Sequence, residues 1–325
     1  MKDGQSATDT SSRLDPQMAA AMDKMAEIAA ALPPMTAKPS PTELRRQMVE
    51  EKRFWNDDAP NLHEITKVFI PGTFREVPVR VYRPTPGDEL PGILHFHGGG
   101  WVKGSPDTHD RLMRLLALAS GAAVLGVDYA LAPEHRFPEP YEESIAVIEG
   151  VAGAAGGVGV DPGRLAVSGD SAGANLALAA AIDLRDRRPG LIRAAALFYG
   201  VFDSDFDTAS YRQFGDGRFG LSREEMIFFW DLYARTPADR ADPRAAPGRA
   251  ALNRIMPVFL AAAELDVLRD DTMRLAEGLE VVGIPFELRE YPGVCHGFLG
   301  LTRMVDKAVT AIEDAAAFLA PHLRG

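Results

Sequence analysis

A serine between two glycines, placed where an apolar strand meets a helix, constrains this chain more than any other feature. Residues 169–173 read Gly-Asp-Ser-Ala-Gly and follow the short apolar run 165–168. A helical pattern then occupies residues 172–184. A sharp strand-to-helix turn of this kind lifts a serine hydroxyl above the end of a sheet, because small flanking residues let the backbone pass close by. We therefore predict that Ser171 is a nucleophile.

Short strands alternate with helical segments along most of the chain. The strand candidates are residues 66–71 and 77–82, which form an antiparallel pair, and residues 93–96, 122–127, 165–168, 194–199, 258–262 and 286–291. The helical patterns are residues 108–119, 140–150, 172–184 and 271–282, with a closing helix at about 303–319. This alternation predicts an α/β fold, a mostly parallel eight-stranded sheet with helices on both faces and one antiparallel edge.

A second glycine cluster ends the strand at residues 93–96. Residues 97–101 read His-Gly-Gly-Gly-Trp. Attack on an ester carbonyl builds negative charge on its oxygen, and prearranged backbone N–H groups in a dry pocket stabilise that charge. Consecutive glycines let a loop turn its N–H groups inward without side chains in the way. We predict that this loop and the N–H of Ala172 form an oxyanion hole.

An acid and a histidine follow Ser171 in the order that such a nucleophile requires. Asp266 comes shortly after the strand at 258–262, and His296 follows the strand at 286–291. Histidine suits proton transfer because its pKa lies near neutrality, and a carboxylate fixes its tautomer. We predict His296 as general base and Asp266 as the residue that orients it. The neighbouring acids that remain alternatives are Glu264, Asp270 and Asp271.

The other histidines and the cysteine are less well placed for chemistry. His95 and His97 are two residues apart and could share a metal, but the adjoining glycines favour an oxyanion loop. The remaining histidines lie near the chain ends, at a helix start or in a proline-rich loop; they are His63, His109, His135 and His322. Cys295 adjoins His296, and adjacent residues on an extended turn point apart, so we expect it to pack.

Neither a metal nor an organic cofactor is expected. Residues 153–163 hold five glycines and suggest a nucleotide loop. A dinucleotide-binding fingerprint must follow a strand and open a helix, whereas this stretch follows a helix and leads into a strand. We therefore expect a flexible connection there.

Charge and cysteine content exclude several classes of protein. The formal net charge is -11 and no basic run occurs, which disfavours a nucleic-acid partner. The single cysteine excludes an intrachain disulfide framework. Residues 1–17 are polar and unlike a signal peptide, and residues 18–32 are too short and too charged to span a bilayer. We expect a cytoplasmic protein without a membrane span.

Four motifs in this order resemble the hormone-sensitive-lipase-like esterases of the α/β-hydrolase superfamily. They are residues 97–101, residues 128–135 (Asp-Tyr-Ala-Leu-Ala-Pro-Glu-His), residues 169–173, and residues 266–270 followed by His-Gly-Phe at 296–298. Their order and context cover roughly residues 62–320. The resemblance implies an α/β-hydrolase fold with a helical cap. One departure is Val267, which stands where the family often has proline.

The resemblance also implies roles for individual residues. Ser171, Asp266 and His296 would form the catalytic triad, and Gly99, Gly100 and Ala172 would be the main oxyanion donors, with Gly98 shaping the loop. The segment around Tyr129 and Glu134 would support that loop through packing.

The cap is expected to come from the two regions without strand partners. Residues 1–55 would form its N-terminal part and residues 203–250 its inserted part, while residues 56–202 and 251–325 would form the catalytic core. The insertion is rich in aromatic side chains that line an acyl pocket or form the core of the cap; they are Phe206, Phe214, Phe219, Phe228, Phe229 and Trp230.

The expected activity is hydrolysis of small-molecule esters with short- to medium-chain acyl groups, through an acyl-enzyme. An amidase or peptidase with the same triad is one alternative. A non-catalytic ligand-binding protein on the same fold is another, although His296 favours catalysis. The resemblance is also compatible with a homodimer formed through the sheet edge.

Overall fold

Eight strands form one sheet in the computed structural model, which describes residues 13–36, 39–87, 89–153 and 158–324. The strands are β1 Glu64–Pro71, β2 Glu76–Arg83, β3 Leu90–Phe96, β4 Ala123–Val127, β5 Val160–Asp170, β6 Ile192–Phe198, β7 Val258–Leu265 and β8 Phe286–Cys295. Their order across the sheet is β1-β2-β4-β3-β5-β6-β7-β8. β2 is antiparallel to both of its neighbours, and the other pairs are parallel. The predicted α/β fold class is confirmed.

Helices cover both faces of this sheet. In the described residues they are α1 Pro16–Ala31, α2 Pro41–Asn56, α3 Asp110–Ser120, α4 Glu139–Ala152, α5 Ala172–Arg187, α6 Ala209–Phe214, α7 Arg223–Tyr233, α8 Pro237–Ala241, α9 Arg269–Val281 and α10 Asp306–Leu323. α3 and α10 pack together on one face, and α4, α5 and α9 cover the other. The central strands are therefore buried on both sides; all five residues of β4 are buried.

Most strands run further than the sequence pattern predicts, and β5 and β8 do so by the most residues. β5 begins at Val160 rather than at residue 165, and β8 continues past Tyr291 to Cys295. The pattern in β8 is interrupted by Pro292 and Gly293, which made the strand look shorter. Because β8 ends at Cys295, His296 follows directly at the carboxyl end of the sheet.

The two regions without strands contribute helices outside the sheet. α1 and α2 pack against each other, and α1 also contacts β8. The segment between β6 and β7 contains α6, α7 and α8, and α6 contacts α9. Residues 1–12 of the predicted cap, and residues 154–157 of the glycine-rich stretch, lie outside the described residues.

No helix in the described ranges is both long enough and apolar enough to cross a membrane.

Candidate active site

Ser171 lies at a strained turn between β5 and α5. Its backbone has φ 54° and ψ -121°, a region that non-glycine residues rarely adopt. A Cβ on Gly169 would lie 2.4 Å from the carbonyl carbon of Gly173, and one on Gly173 would lie 1.9 Å from the carbonyl oxygen of Phe96. Both glycines are therefore required, because the strand and helix cross without room for a side chain. This strained strand-to-helix turn has the geometry expected of a nucleophile elbow.

His296 connects the serine to a carboxylate. Its Nε2 lies 2.9 Å from Ser171 Oγ, and its Nδ1 lies 2.7 Å from Asp266 Oδ2. The Asp266 side chain is buried, and its second oxygen accepts the backbone N–H of Leu268 at 3.0 Å. The three residues proposed from sequence are thus brought together from three different strand ends. Their arrangement allows proton transfer from the serine to the histidine.

The neighbouring acids each bind other groups. Glu264 accepts the backbone N–H of Gly293 at 2.7 Å and pairs with Arg13. Asp270 accepts the N–H of Ser210, and Asp271 accepts two backbone N–H groups, at 2.9 Å in each case. Among these acids, Asp266 is the one in contact with His296. Val267 is buried and does not prevent that contact.

The glycine loop after β3 presents free N–H groups near Ser171. In the described part of the chain, no hydrogen bond uses the N–H of Gly99, Gly100 or Ala172. Gly99 has φ 127° and Gly100 has φ 61°. A Cβ on Gly99 would lie 2.0 Å from the carbonyl oxygen of Lys103, and one on Gly100 would meet the ring of Phe229 at 2.4 Å. These positions require glycine, and their N–H groups are available to an oxyanion.

Gly98 differs from the other predicted oxyanion residues. Its N–H donates to Asp170 Oδ1 at 2.9 Å, so it is not available to a substrate. This contact fits the loop-shaping role that the family resemblance implies for Gly98. Asp170 is buried and has His95 Nε2 and His109 Nε2 each 3.5 Å from the same oxygen. Burial alone would raise the pKa of the Asp170 carboxyl, but the two histidines hold that pKa well below its usual value.

Sequence reasoning missed the role of Asp170, although this residue lies inside the serine motif. It also missed Arg45 of α2. Arg45 donates to the carbonyl oxygens of Val102 and Ala132, at 2.8 and 2.9 Å, and pairs with Glu134 at 2.6 Å. Arg45 thereby ties the segment after the glycine loop to the segment of residues 128–135. An arginine in a polar helix carries no sequence signal for this contact.

The segment of residues 128–135 supports the loop from below, as the resemblance implies. The hydroxyl of Tyr129 donates to the carbonyl of His97 at 2.7 Å, and the two rings stack with centroids 4.3 Å apart. Burial lowers the pKa of His97 to about 3, so this imidazole is neutral near pH 7. Ala130 donates its N–H to the buried carboxylate of Glu143, which pairs with Arg75 at 2.8 Å.

His95 and His97 direct their Nδ1 atoms to different partners inside the protein. His95 Nδ1 lies 3.2 Å from Ser168 Oγ, whereas His97 Nδ1 lies 2.9 Å from the carbonyl oxygen of Gly98. Across the described ranges, no group of three or more His, Cys, Asp or Glu side chains is placed to hold a metal ion. The histidines are instead part of the packing beneath the glycine loop.

Cys295 packs away from Ser171. Its thiol is buried and lies 3.9 Å from the sulfur of Met22 in α1. Burial, with a smaller contribution from Asp266, raises the pKa of the Cys295 thiol to about 12. A thiol in this state is not a nucleophile at neutral pH.

A cleft of about 250 Å³ opens above Ser171 and His296. Its walls come from the glycine loop, from α2 and from the segment between β6 and β7. The residues from α2 are Met48, Glu51 and Lys52, and those from the inserted segment are Leu221, Glu225, Met226 and Phe229. Of the six aromatic side chains considered from sequence, Phe229 is the one that lines this cleft. Trp230, for example, is fully buried against Trp101.

Comparison with known proteins agrees with this architecture. A family model described as "alpha/beta hydrolase fold" matches residues 93–300. Curated proteins called acetyl esterase, from Salmonella paratyphi B and Salmonella agona, are each 38% identical over 296 residues, which is 90% of this chain and 91% of theirs.

Solved structures of esterases superpose over nearly the whole chain. An esterase from Pyrobaculum calidifontis has a TM-score of 0.88 and 33% identity, covering 95% of this chain and 98% of its own. A thermophilic carboxylesterase cloned from a metagenomic library has a TM-score of 0.86 and 36% identity, covering 90% of this chain and 100% of its own. A thermostable esterase from Pseudomonas putida has a TM-score of 0.88 and 32% identity, with 96% and 98% coverage.

Proposed function

The chain belongs to the hormone-sensitive-lipase-like esterases of the α/β-hydrolase superfamily, and from that membership we propose that Ser171, His296 and Asp266 are its catalytic triad. The chain is a carboxylic ester hydrolase. The observation that carries the assignment of the triad is the position of His296, which is in hydrogen-bond contact with both Ser171 and Asp266. The same contacts favour catalysis over passive ligand binding.

The first half of the proposed reaction forms an acyl-enzyme. Ser171 Oγ attacks the ester carbonyl while His296 Nε2 takes the hydroxyl proton. The carbonyl oxygen becomes an oxyanion that accepts hydrogen bonds from the N–H groups of Gly99, Gly100 and Ala172. The intermediate then expels the alcohol, which receives the proton from His296. Asp266 holds the imidazole in the required tautomer and stabilises its charged form.

The second half releases the acid. A water molecule gives a proton to His296 and attacks the acyl carbonyl on Ser171. This attack forms a second oxyanion, which accepts hydrogen bonds from the same N–H groups. Collapse of this intermediate breaks the bond to Ser171 Oγ, and His296 returns the proton to that oxygen. No metal or organic cofactor takes part in this proposal.

We propose that short acyl groups are preferred. The cleft volume of about 250 Å³ supports this, as does the side chain of Phe229, which closes the cleft beside Gly100. The name acetyl esterase of the curated relatives points in the same direction. We propose further that α1, α2 and the segment of residues 203–250 act together as the cap. Cytoplasmic residence and a homodimer through the sheet edge remain proposals from sequence.

The acyl-chain preference is tested with p-nitrophenyl esters from acetate to decanoate. We expect kcat/KM to be highest for acetate to butyrate and to fall with longer chains. Phe229→Ala should shift the optimum to longer chains, while Phe228→Ala, which alters an exposed neighbour, should leave it unchanged. An unchanged optimum in Phe229→Ala would contradict this pocket assignment. Comparison of a matched ester and anilide tests the amidase alternative, for which we expect a far lower rate on the anilide.

A further inference from the structure

Two lysines line the cleft that holds Ser171. Lys52 belongs to α2, and its ammonium lies over Gly300, where an added Cβ would be 3.1 Å from Nζ. Lys103 follows the glycine loop, and its Nζ lies 5.5 Å from the ring centroid of Phe229. Both side chains are half-buried. Gly300 and Phe229 also line the cleft, so both ammonium groups are placed at its wall.

Within the described residues, neither ammonium group has a carboxylate within ion-pair distance, although three acids line the same cleft. Glu225 accepts the N–H and the hydroxyl of Ser222, at 2.9 and 2.8 Å. Glu51 accepts the amide of Gln47 at 3.0 Å. Asp170 lies below the glycine loop and holds Gly98. The acids therefore have hydrogen-bond partners of their own. Asp170 and Glu51 act on Lys52 only through longer-range charge interactions, and the Lys103 ammonium lies over the ring of Phe229.

The two cations also act on each other. Burial lowers the pKa of the Lys52 ammonium and the charge of Lys103 lowers it further, while the carboxylates of Asp170 and Glu51 partly offset these effects. Two half-buried like charges that repel each other are stabilised when an anion binds between or beside them.

We propose that Lys52 and Lys103 form an anion subsite, and that the substrates of this enzyme are esters that carry a carboxylate in addition to the ester group. The carboxylate lies either on the acyl side, as in a monoester of a dicarboxylic acid, or on the alcohol side, as in an acylated hydroxy acid. This inference rests on the proposed function, because it places the charged group of the substrate in the cleft above Ser171. Lys52 and Lys103 take no part in the bond-making steps.

Two pairs of substrates distinguish the acyl side from the alcohol side. The acyl-side pair is mono-p-nitrophenyl glutarate and p-nitrophenyl pentanoate, and the alcohol-side pair is 3-acetoxybenzoate and 3-acetoxybenzamide. For each pair, the ratio of kcat/KM for the charged ester to that for the neutral ester is measured in the wild type and in variants. Differences in leaving group cancel when the ratio of a variant is divided by that of the wild type.

We expect Lys52→Gln and Lys103→Gln each to lower this ratio about tenfold for one of the two pairs, since a hydrogen bond to a charged group is lost. The neutral ester is the reference within each variant, so a general loss of activity cancels in the ratio. Lys67→Gln is the matched control, because this lysine lies on β1 outside the cleft, with its ammonium over Phe69. The proposal is overturned if both ratios stay within twofold of the wild-type values in both cleft variants.

The wild type provides an independent readout if a variant does not fold. Its charged-to-neutral ratio should fall with added sodium chloride for the responsive pair, because salt screens a partly exposed ion pair. A ratio independent of salt for both pairs would contradict the subsite. Failure of the wild type to hydrolyse the neutral esters would instead reject the proposed function, so the two failures are distinguishable.

Discussion

Two sets of histidine and carboxylate side chains lie close together in this molecule, and only one of them is placed for catalysis. Asp266 binds His296 Nδ1 at 2.7 Å, and the other nitrogen of His296 faces Ser171. Asp170 lies between His95 and His109, each 3.5 Å away, and its closest described partner is the N–H of Gly98. The residue types are the same in both sets, but the surroundings differ.

The difference lies in what the remaining nitrogen contacts. His95 Nδ1 contacts Ser168 and His109 Nδ1 contacts Thr108, both inside the protein. His95 is fully buried, and His109 reaches the cleft wall but has its Nε2 3.5 Å from Asp170 Oδ1. His296 Nε2, in contrast, lies 2.9 Å from Ser171 Oγ. A histidine can relay a proton to a substrate only if one nitrogen reaches the reacting atoms. We therefore expect the Asp266 set to determine turnover and the Asp170 set to determine stability and the position of the glycine loop.

The largest effect expected is that of Ser171→Ala. This change removes the nucleophile, and we expect kcat for p-nitrophenyl butyrate to fall at least about 10⁴-fold. His296→Ala should be about as severe, and the double variant should be little worse than either, because the residues act as a unit. Circular dichroism should show an intact fold. Retention of a tenth of wild-type turnover in Ser171→Ala would overturn the assignment.

Asp266→Asn tests the orienting carboxylate. We expect kcat to fall about 10³- to 10⁴-fold, because the amide favours the wrong tautomer of His296. Glu264→Gln is the matched control two residues away, since this acid binds Arg13 and Gly293 rather than the histidine. It should change kcat by less than about threefold. Equal losses in the two variants would remove the distinction between Asp266 and its neighbours.

Asp170→Asn tests the buried set. The substitution leaves the shape unchanged but removes the charge that holds Gly98 and interacts with two histidines. We expect the free energy of unfolding in urea to fall by about 2–4 kcal/mol, because a buried charged network loses one partner. We expect kcat to fall about 10- to 100-fold, through the displaced glycine loop. If Asp170→Asn lost as much turnover as Asp266→Asn and kept its stability, the proposed difference in role between the two sets would be wrong.

His97→Asn should alter how stability depends on pH. The pKa of His97 is about 3 in the folded protein, against 6.5 for an ordinary histidine, so between these values the unfolded chain binds a proton that the folded protein does not. The contribution of neutral His97 to the free energy of unfolding is therefore fully present above about pH 6.5, and it decreases as the pH is lowered. Between pH 6 and pH 4, the free energy of unfolding of the wild type should therefore fall more steeply than that of the variant, by about 1.4 kcal/mol per pH unit. Parallel pH profiles in urea unfolding would contradict this.

Much of the site could be predicted because its signals are local. The crossing of β5 and α5 at residues 169–173 requires small residues, and the positive φ angles after β3 require glycine. Both requirements are therefore visible in the sequence. The order of strands and helices predicts that Asp266 and His296 reach the same edge of the sheet. These inferences required no knowledge of long-range packing.

The remaining features depend on contacts between distant segments. Arg45 and Lys52 come from a polar helix about which the sequence says nothing beyond its periodicity, and they meet the glycine loop only in the folded protein. The role of Asp170 depends on His109, a residue that looks like an ordinary helix start in the sequence. For the same reason, the sequence could not show which of the six aromatic residues of the inserted segment line the cleft and which form the core of the cap.

Labelling with a fluorophosphonate, followed by peptide mapping, identifies the activated nucleophile of this protein. The reagent reports both the identity of the nucleophile and its activation by His296. We predict a single labelled residue, Ser171, in the wild type and in Asp170→Asn, with labelling slowed strongly in Asp266→Asn and absent in Ser171→Ala. A label on any other residue, or labelling of the wild type no faster than of Asp266→Asn, would contradict the account.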